Sequence, residues 1–146
     1  MKKIYVDADA CPVKDEIVKV ATRHKIQVFM VCNGGIRPFR NNLINLIIVP
    51  EGPDEADKWI FTNIKTGDIL ITSDIPLASN CIDKGAYVLK HEGSILDFNN
   101  IGNVLATRDL MSDLRASNPF LIGKGKSFTK ADKVKFLNSL ETIIIK

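Results

Sequence analysis

The residues best suited to chemistry in this sequence are aspartates. Asp7 and Asp9 stand two apart just past a short apolar run. Asp54 and Asp57 stand three apart, and Asp74 closes the run Asp-Ile-Leu-Ile-Thr-Ser-Asp. In extended chain, residues i and i+2 point the same way. At the start of a helix, residues i and i+3 share a face. Two carboxylates ~4 Å apart repel by roughly 4 kcal/mol at an effective dielectric near 20. Three or four together must shift their pKa values, share protons or hold a cation. Hard oxygen ligands without a His or Cys set select Mg²⁺ or Mn²⁺. A carboxylate-held ion facing phosphate is the machinery of phosphodiester cleavage, activating water and steadying the leaving oxygen.

Asp7, Asp9, Asp54, Asp57 and Asp74 are therefore the candidate metal ligands, with Asp7, Asp9 and Asp74 the candidate catalytic acids. N-cap preference alone explains Asp54 or Asp74 taken singly. Asp7-Ala8-Asp9 resists that reading, because a cap needs one carboxylate and not two on one side of the chain. Glu55 and Asp68 read as solvated.

Lys14, Arg37, Arg40, Lys58, Lys124 and Lys126 are the candidate phosphate contacts, each with ordinary solvated charge as its alternative. Arg37-Pro-Phe-Arg40 follows a Gly-Gly turn, and basic residues beside a Phe suit single-stranded nucleic acid, where bases stack and phosphates pair. Thr72 and Ser73 are placed to orient a water, contact phosphate or cap a strand end. Cys11 precedes a helix N-terminus that lowers thiol pKa. It has no obvious base, since His24 falls at the far end of that helix and His91 in a later loop. Cys11 reads as a packed thiol, and Cys32, Cys81 and Trp59 read as core.

The elements needed to gather these acids follow from periodicity. Lys3–Val6, Gln27–Val31, Ile44–Val49, Asp68–Thr72 and Ala86–Leu89 read as strands, broken by Asn33-Gly34-Gly35 and Pro50. Val13, Ile17, Val20 and Ala21 mark a helix from Pro12 to His24. Ala56, Ile60 and Ile64 mark one capped by Asp54, and Asp74 caps a third, with Pro76 in its first turn. Strands alternating with helices imply right-handed βαβ units and a mostly parallel sheet. The runs VFMV and LIIV suit strands buried on both faces. Open parallel sheets hold their ligands at the carboxyl ends of the strands. Asp7, Asp9 and Asp74 fall there, and the Asp54 pair lies where the chain leaves the third strand.

The last third is helical. Asn103–Ala116 reads as a helix stopped by Ser117-Asn118-Pro119, and Gly123-Lys-Gly-Lys126 as a basic loop. Thr129 with Asp132 forms a capping box in which Asp replaces Glu, ahead of a stripe of Val134, Leu137, Leu140 and Ile144. The expectation is one α/β domain over 1–146, about five strands flanked by helices.

The 146 residues, 45% apolar and 25% charged, suit a globular domain and exclude disordered, collagen and coiled-coil classes. A net charge of +3 permits a nucleic-acid partner without arguing for one. No run of ~18 apolar residues predicts a membrane span. Asp7 and Asp9 interrupt the N-terminal apolar run too early for a secretory signal, so a cytoplasmic location is expected. Three widely spaced cysteines make neither a disulfide framework nor a zinc site.

Four segments carry a resemblance: Asp7-Ala-Asp-Ala-Cys-Pro-Val-Lys14, Gly52-Pro-Asp-Glu-Ala-Asp57, Gly67-Asp-Ile-Leu-Ile-Thr-Ser-Asp-Ile-Pro-Leu-Ala78 and Lys84-Gly-Ala86. They resemble the YaiI/YqxD family of small bacterial proteins over nearly the whole chain. That family is similar to PIN-like domains, metal-dependent ribonucleases built on a parallel sheet with an acidic cluster. The resemblance implies that Asp7 and Asp74 match the acids after the first and fourth strands, that Asp54 or Asp57 supplies the middle acid, and that Asp9 neighbours the first. The family's glycine-proline loop and its Phe-x-x-x-Asp-Arg read here as Gly123-Lys-Gly-Lys-Ser-Phe128 and Asp132-Lys133. Lysines thus stand in a glycine-proline context and in place of an arginine able to grip phosphate bidentately.

The leading expectation is a Mg²⁺- or Mn²⁺-dependent nuclease acting on RNA. One alternative is a haloacid-dehalogenase-like phosphatase with Asp7 as nucleophile and Asp9 as acid/base, although that class carries Thr or Val where this chain has Cys11. The other is a PIN-like module that binds RNA without cutting it.

Overall fold

The structure is a computed structural model and describes residues 2–9, 11–117 and 128–146. Lys124, Lys126 and the Asn118-Pro119 helix stop lie outside them. In chain order the elements are β1 (Ile4–Asp7), α1 (Lys14–His24), β2 (Val28–Cys32), β3 (Ile44–Ile48), α2 (Glu55–Asn63) and β4 (Ile69–Ile71). They continue with α3 (Ile75–Asp83), β5 (Tyr87–Leu89), β6 (Ile95–Leu96), α4 (Ile101–Ser117) and α5 (Lys130–Ile144). The strands form one sheet in the order β3-β2-β1-β4-β5-β6. The first five pair in parallel, and β6 returns antiparallel to β5. The sixth strand has two residues, too few to leave an alternation in the sequence.

Helices cover both faces. Ile4 and Val6 of β1 pack with Val13, Ile17, Val20 and Ala21 around α1 and with Phe136, Leu140 and Ile143 of α5. Tyr5, between them, packs toward Ile60, Ile64, Leu77 and Ala78 of the α2–α3 side. Asp7 continues the Tyr5 row, because strand side chains alternate with period two. The chain moves outward from β1 to β2 and β3, then returns to β1's other side as β4. That reversal is a topological switch point, and it lies where Asp7 ends β1 and Thr72-Ser73-Asp74 follows β4.

Three expectations are corrected. Asp68 is buried and not solvated, since its carboxylate accepts the Lys3 N–H at 3.1 Å and the Lys65 N–H at 3.0 Å. The core face of α5 is Phe136, Leu140 and Ile143, while Val134 is 58% exposed. The helix enters rotated by about a quarter turn from the expected stripe, so that Leu140 serves both and Leu137 and Ile144 pack at the border. Helix α1 begins at Lys14, with Pro12 and Val13 in the turn that precedes it. The Thr129–Asp132 capping box is present. Gly93 admits α5 closely: at φ +98°, a Cβ there would meet the Lys135 carbonyl carbon at 2.7 Å.

Candidate active site

Asp7 ends β1 beside Thr72, one step past the Val6–Ile71 pairing. Buried Thr72 donates its hydroxyl to Asp7 Oδ2 at 3.1 Å, and Thr72 Oγ1 accepts the Asp74 N–H at 3.0 Å. One threonine thus fixes both acids. Asp74 caps α3 as expected, accepting the Leu77 N–H at 2.9 Å. That bond occupies Oδ1 and leaves Oδ2 for other partners.

Asp57 comes in from the first turn of α2, within hydrogen-bonding reach of Asp74. Burial, then the charges of Asp74, Asp7 and Asp54, push its carboxyl up to about 6. Burial also raises Asp7, opposed by the Thr72 hydroxyl and reinforced by Asp74 and Asp9. The charges of Asp74 and Asp7 thus both bear on Asp57, and that of Asp74 on Asp7. Carboxylates in this state share a proton or accept a cation.

The remaining acids stand apart. Asp9 is exposed and accepts the Asn33 N–H at 3.1 Å, tying the β1 loop to the end of β2. Asp54 occupies the N-cap position of α2 but makes no capping bond, because its backbone is left-handed at φ +68°. Its carboxylate is exposed and acts on Asp57 only through its charge. Among the described residues, no three His, Cys, Asp or Glu side chains stand close enough to enclose a metal ion directly. The donor set still fits Mg²⁺ or Mn²⁺, since Mg²⁺ usually keeps several waters and takes only one or two carboxylates. Asp57 with Asp74 supplies such a pair, and Asp7 completes the charge. A cavity of about 360 Å³ opens beside Asp57 between α2 and α3, lined also by Asp54, Lys58, Phe61, Pro76 and Asn80; Asp7 and Asp74 are not among its lining residues.

The basic residues distribute unevenly. Lys14 lies at the same edge, its ammonium donating to the Cys11 carbonyl at 3.1 Å. Lys58 is exposed at the cavity wall and 3.7 Å from Glu55. Arg37 and Arg40 are exposed on the β2–β3 connection. Phe39 between them packs against the core, so it is not the stacking surface its neighbours suggested. Lys133, in the place of the family's arginine, pairs with Glu16 at 3.4 Å.

Cys11 departs from expectation in electrostatics. Burial outweighs the helix N-terminus and pushes its thiol up to about 11. It is a packed thiol, as are buried Cys32 and Cys81.

Sequence reasoning missed His91 as a site residue. It follows β5 as Asp74 follows β4, and its Nδ1 lies 3.0 Å from Ser73 Oγ. Burial lowers its pKa, and its buried Nε2 has no partner among the described residues. Its position two residues past a strand end was the available signal.

The family model described as "Uncharacterized BCR, YaiI/YqxD family" matches residues 5–146. A UPF0178 protein of Roseobacter denitrificans is 57% identical over 146 residues, covering 100% of this chain and 97% of the relative. One from Ruegeria pomeroyi is 54% identical over 142 residues, 97% of this chain and 92% of the relative. One from Parvibaculum lavamentivorans is 49% identical over 144 residues, with shares of 99% and 94%. No solved structure matches the chain.

Proposed function

The chain belongs to the YaiI/YqxD family, and we propose that it is a divalent-cation-dependent nuclease that hydrolyses phosphodiester bonds of single-stranded RNA. The observation that carries this reading is the gathering of Asp7, Asp57 and Asp74 at the β1–β4 switch point, where the charges of Asp74 and Asp7 add to burial in pushing Asp57 up to about 6. Such a group is poorly suited to bare phosphate, which it repels, and well suited to phosphate with a cation between. Asp57 and Asp74 would hold Mg²⁺ or Mn²⁺, with Asp7 adding charge. When bound, such a cation supplies Lewis acidity toward a phosphoryl oxygen.

The protein's own part is positioning. Thr72 holds Asp7 and the Asp74 backbone in register, and the Leu77 N–H fixes one oxygen of Asp74. Lys14 and Lys58 bring positive charge to the rim, and Arg37 and Arg40 extend it along the β2–β3 connection. The PIN-like resemblance supports the same reading, since its acids fall on Asp7 and Asp74. Asp9, engaged by the Asn33 N–H, is less available for the acid/base role a haloacid-dehalogenase-like phosphatase needs.

Asp74→Asn is the informative variant. Asn caps a helix as well as Asp does, so α3 keeps its start while the site loses a charge. Labelled single-stranded RNA with Mn²⁺ should be cleaved by the wild type and at least ~100-fold more slowly by Asp74→Asn, the scale expected when a group stabilising the transition state is lost. Equal inertness of both proteins, with RNA binding indifferent to EDTA, overturns the nuclease reading in favour of a non-catalytic binding module.

A further inference from the structure

At the other end of the sheet, remote from the acids, lies a cavity of about 530 Å³. Lys3 enters it ahead of β1, Lys65 ahead of β4, and Trp59 and Asn63 from the last two turns of α2. Its walls are aromatic. Tyr5 and Phe29 stack with centroids 5.0 Å apart, and Trp59 is tilted 6.1 Å from Tyr5 and 6.0 Å from Phe29. These spacings leave no room for a fourth ring between them, but Phe29 and Trp59 are only half-buried and present surface to the cavity. The wall is braced: the Tyr5 hydroxyl donates to the Asn63 carbonyl at 3.2 Å, and Asn63 Nδ2 donates to the Trp59 carbonyl at 2.7 Å. That second bond orients the Asn63 amide and leaves its Oδ1 as an acceptor.

Charge at the rim is unbalanced. Lys3 and Lys65 are exposed and form no ion pair among the described residues. Lys3 Nζ sits 5.9 Å from the Phe29 centroid. The Asp68 carboxylate facing them already accepts two backbone N–H groups. A pocket of this size with one aromatic wall, a polar rim of Asn63, Thr66 and Asp68, and two ammonium groups outside any ion pair among the described residues fits a planar ring that carries an anion.

We propose that this cavity binds a nucleobase with its phosphate, the ring lying against Trp59 and Phe29, a base amino group donating to Asn63 Oδ1, and the phosphate meeting Lys3 and Lys65. The nucleotide is either free or one residue of a single strand. The site is independent of the acids at the opposite edge, and its existence does not rest on the nuclease reading.

Trp59 is the sole tryptophan of the chain, so its fluorescence reports this cavity directly. The full-length protein in EDTA is titrated with adenosine 5′-monophosphate, adenosine, and a short oligoadenylate. Saturable quenching by the monophosphate is expected, with adenosine about tenfold weaker for lack of its charge-assisted contacts. Lys3→Ala/Lys65→Ala, at exposed positions that leave the core intact, should weaken the monophosphate by a similar factor. Lys19→Ala, on the exposed face of α1, and Asp74→Asn should leave it unchanged. Tighter binding of the oligoadenylate assigns the site to a strand, and equal binding assigns it to the free nucleotide; both support the shared chemistry. Absence of saturable quenching at ~10 mM, far above the ~1 mM scale of weak specific binding, overturns the proposal. So does quenching that the double lysine variant leaves intact.

Discussion

Replacing Asp57 by Asn should make the cation-free protein more stable at pH 8 and leave it nearly unchanged at pH 4. The Asp57 carboxyl stands at about 6 in the folded chain against an ordinary 3.8. Below 3.8 it is protonated whether folded or unfolded, and it contributes no difference. Between 3.8 and about 6 the unfolded chain releases the proton while the folded chain keeps it, so stability falls as pH rises. Above about 6 both forms are ionised, and the loss stays constant. The distance from 3.8 to about 6 corresponds to ~3 kcal/mol before screening. Asp57 is partly exposed, and solvent screening reduces this to ~1 kcal/mol. Asn cannot ionise, so the variant escapes the loss and should melt about 3 °C higher at pH 8. Thermal unfolding of both proteins in EDTA at pH 4, 5, 6, 7 and 8 measures this, and the difference between them cancels the other carboxylates. Mg²⁺ at pH 8 should then raise the wild type more than the variant, since only the wild type regains what repulsion cost. A constant difference across the pH range, or a variant less stable at pH 8, refutes the claim that Asp57 is ionised at a cost beside Asp74 and Asp7.

Two further outcomes test the frame around the site. Gly93→Ala should lower the urea midpoint by an amount equivalent to roughly 2–4 kcal/mol, because the new methyl meets the backbone of α5 at Lys135 and Phe136 and φ is positive; an unchanged midpoint would mean that α5 docks elsewhere. Cys11, with its thiol pushed up to about 11, should react with iodoacetamide at pH 8 roughly a hundredfold more slowly than a free cysteine, a difference read by mass spectrometry of the native protein and removed on unfolding.

Much of the frame was legible because it rests on short-range patterns. VFMV falls on β2, inside the sheet and nearly all buried, whereas LIIV falls on the edge strand β3, where Ile48 is 64% exposed and the expected double cover is missing; Asp74 with Pro76 announces a helix start. Alternation of strand and helix then fixes which ends of the strands lie together, and Asp7 and Asp74 are brought to one edge. Partnering was not legible. Asp9 is two residues from Asp7, but its carboxylate is engaged by the Asn33 N–H just past β2 and reaches Asp7 only through its charge. Asp54 holds the N-cap position in a left-handed backbone that takes its side chain out of capping. Asp68 is buried because two backbone N–H groups from separate segments converge on it. Phe39 turns into the core between two exposed arginines. Each depends on contacts across the sheet that no local pattern records. The Tyr5–Phe29–Trp59 cluster is of the same kind, assembled from two strands and a helix whose spacing in the chain carries no signal.

The proposed site for a hard divalent cation at the β1–β4 edge rests on Asp7, Asp57 and Asp74 together. Titration of Mn²⁺ followed by electron paramagnetic resonance, on the wild type and on Asp7→Asn, Asp57→Asn, Asp74→Asn and Asp9→Asn, tests it directly. Saturable binding is expected, weakened at least tenfold by each of the first three variants and preserved in Asp9→Asn. Binding of equal strength in Asp57→Asn and Asp74→Asn, or no saturable binding by the wild type, would contradict it.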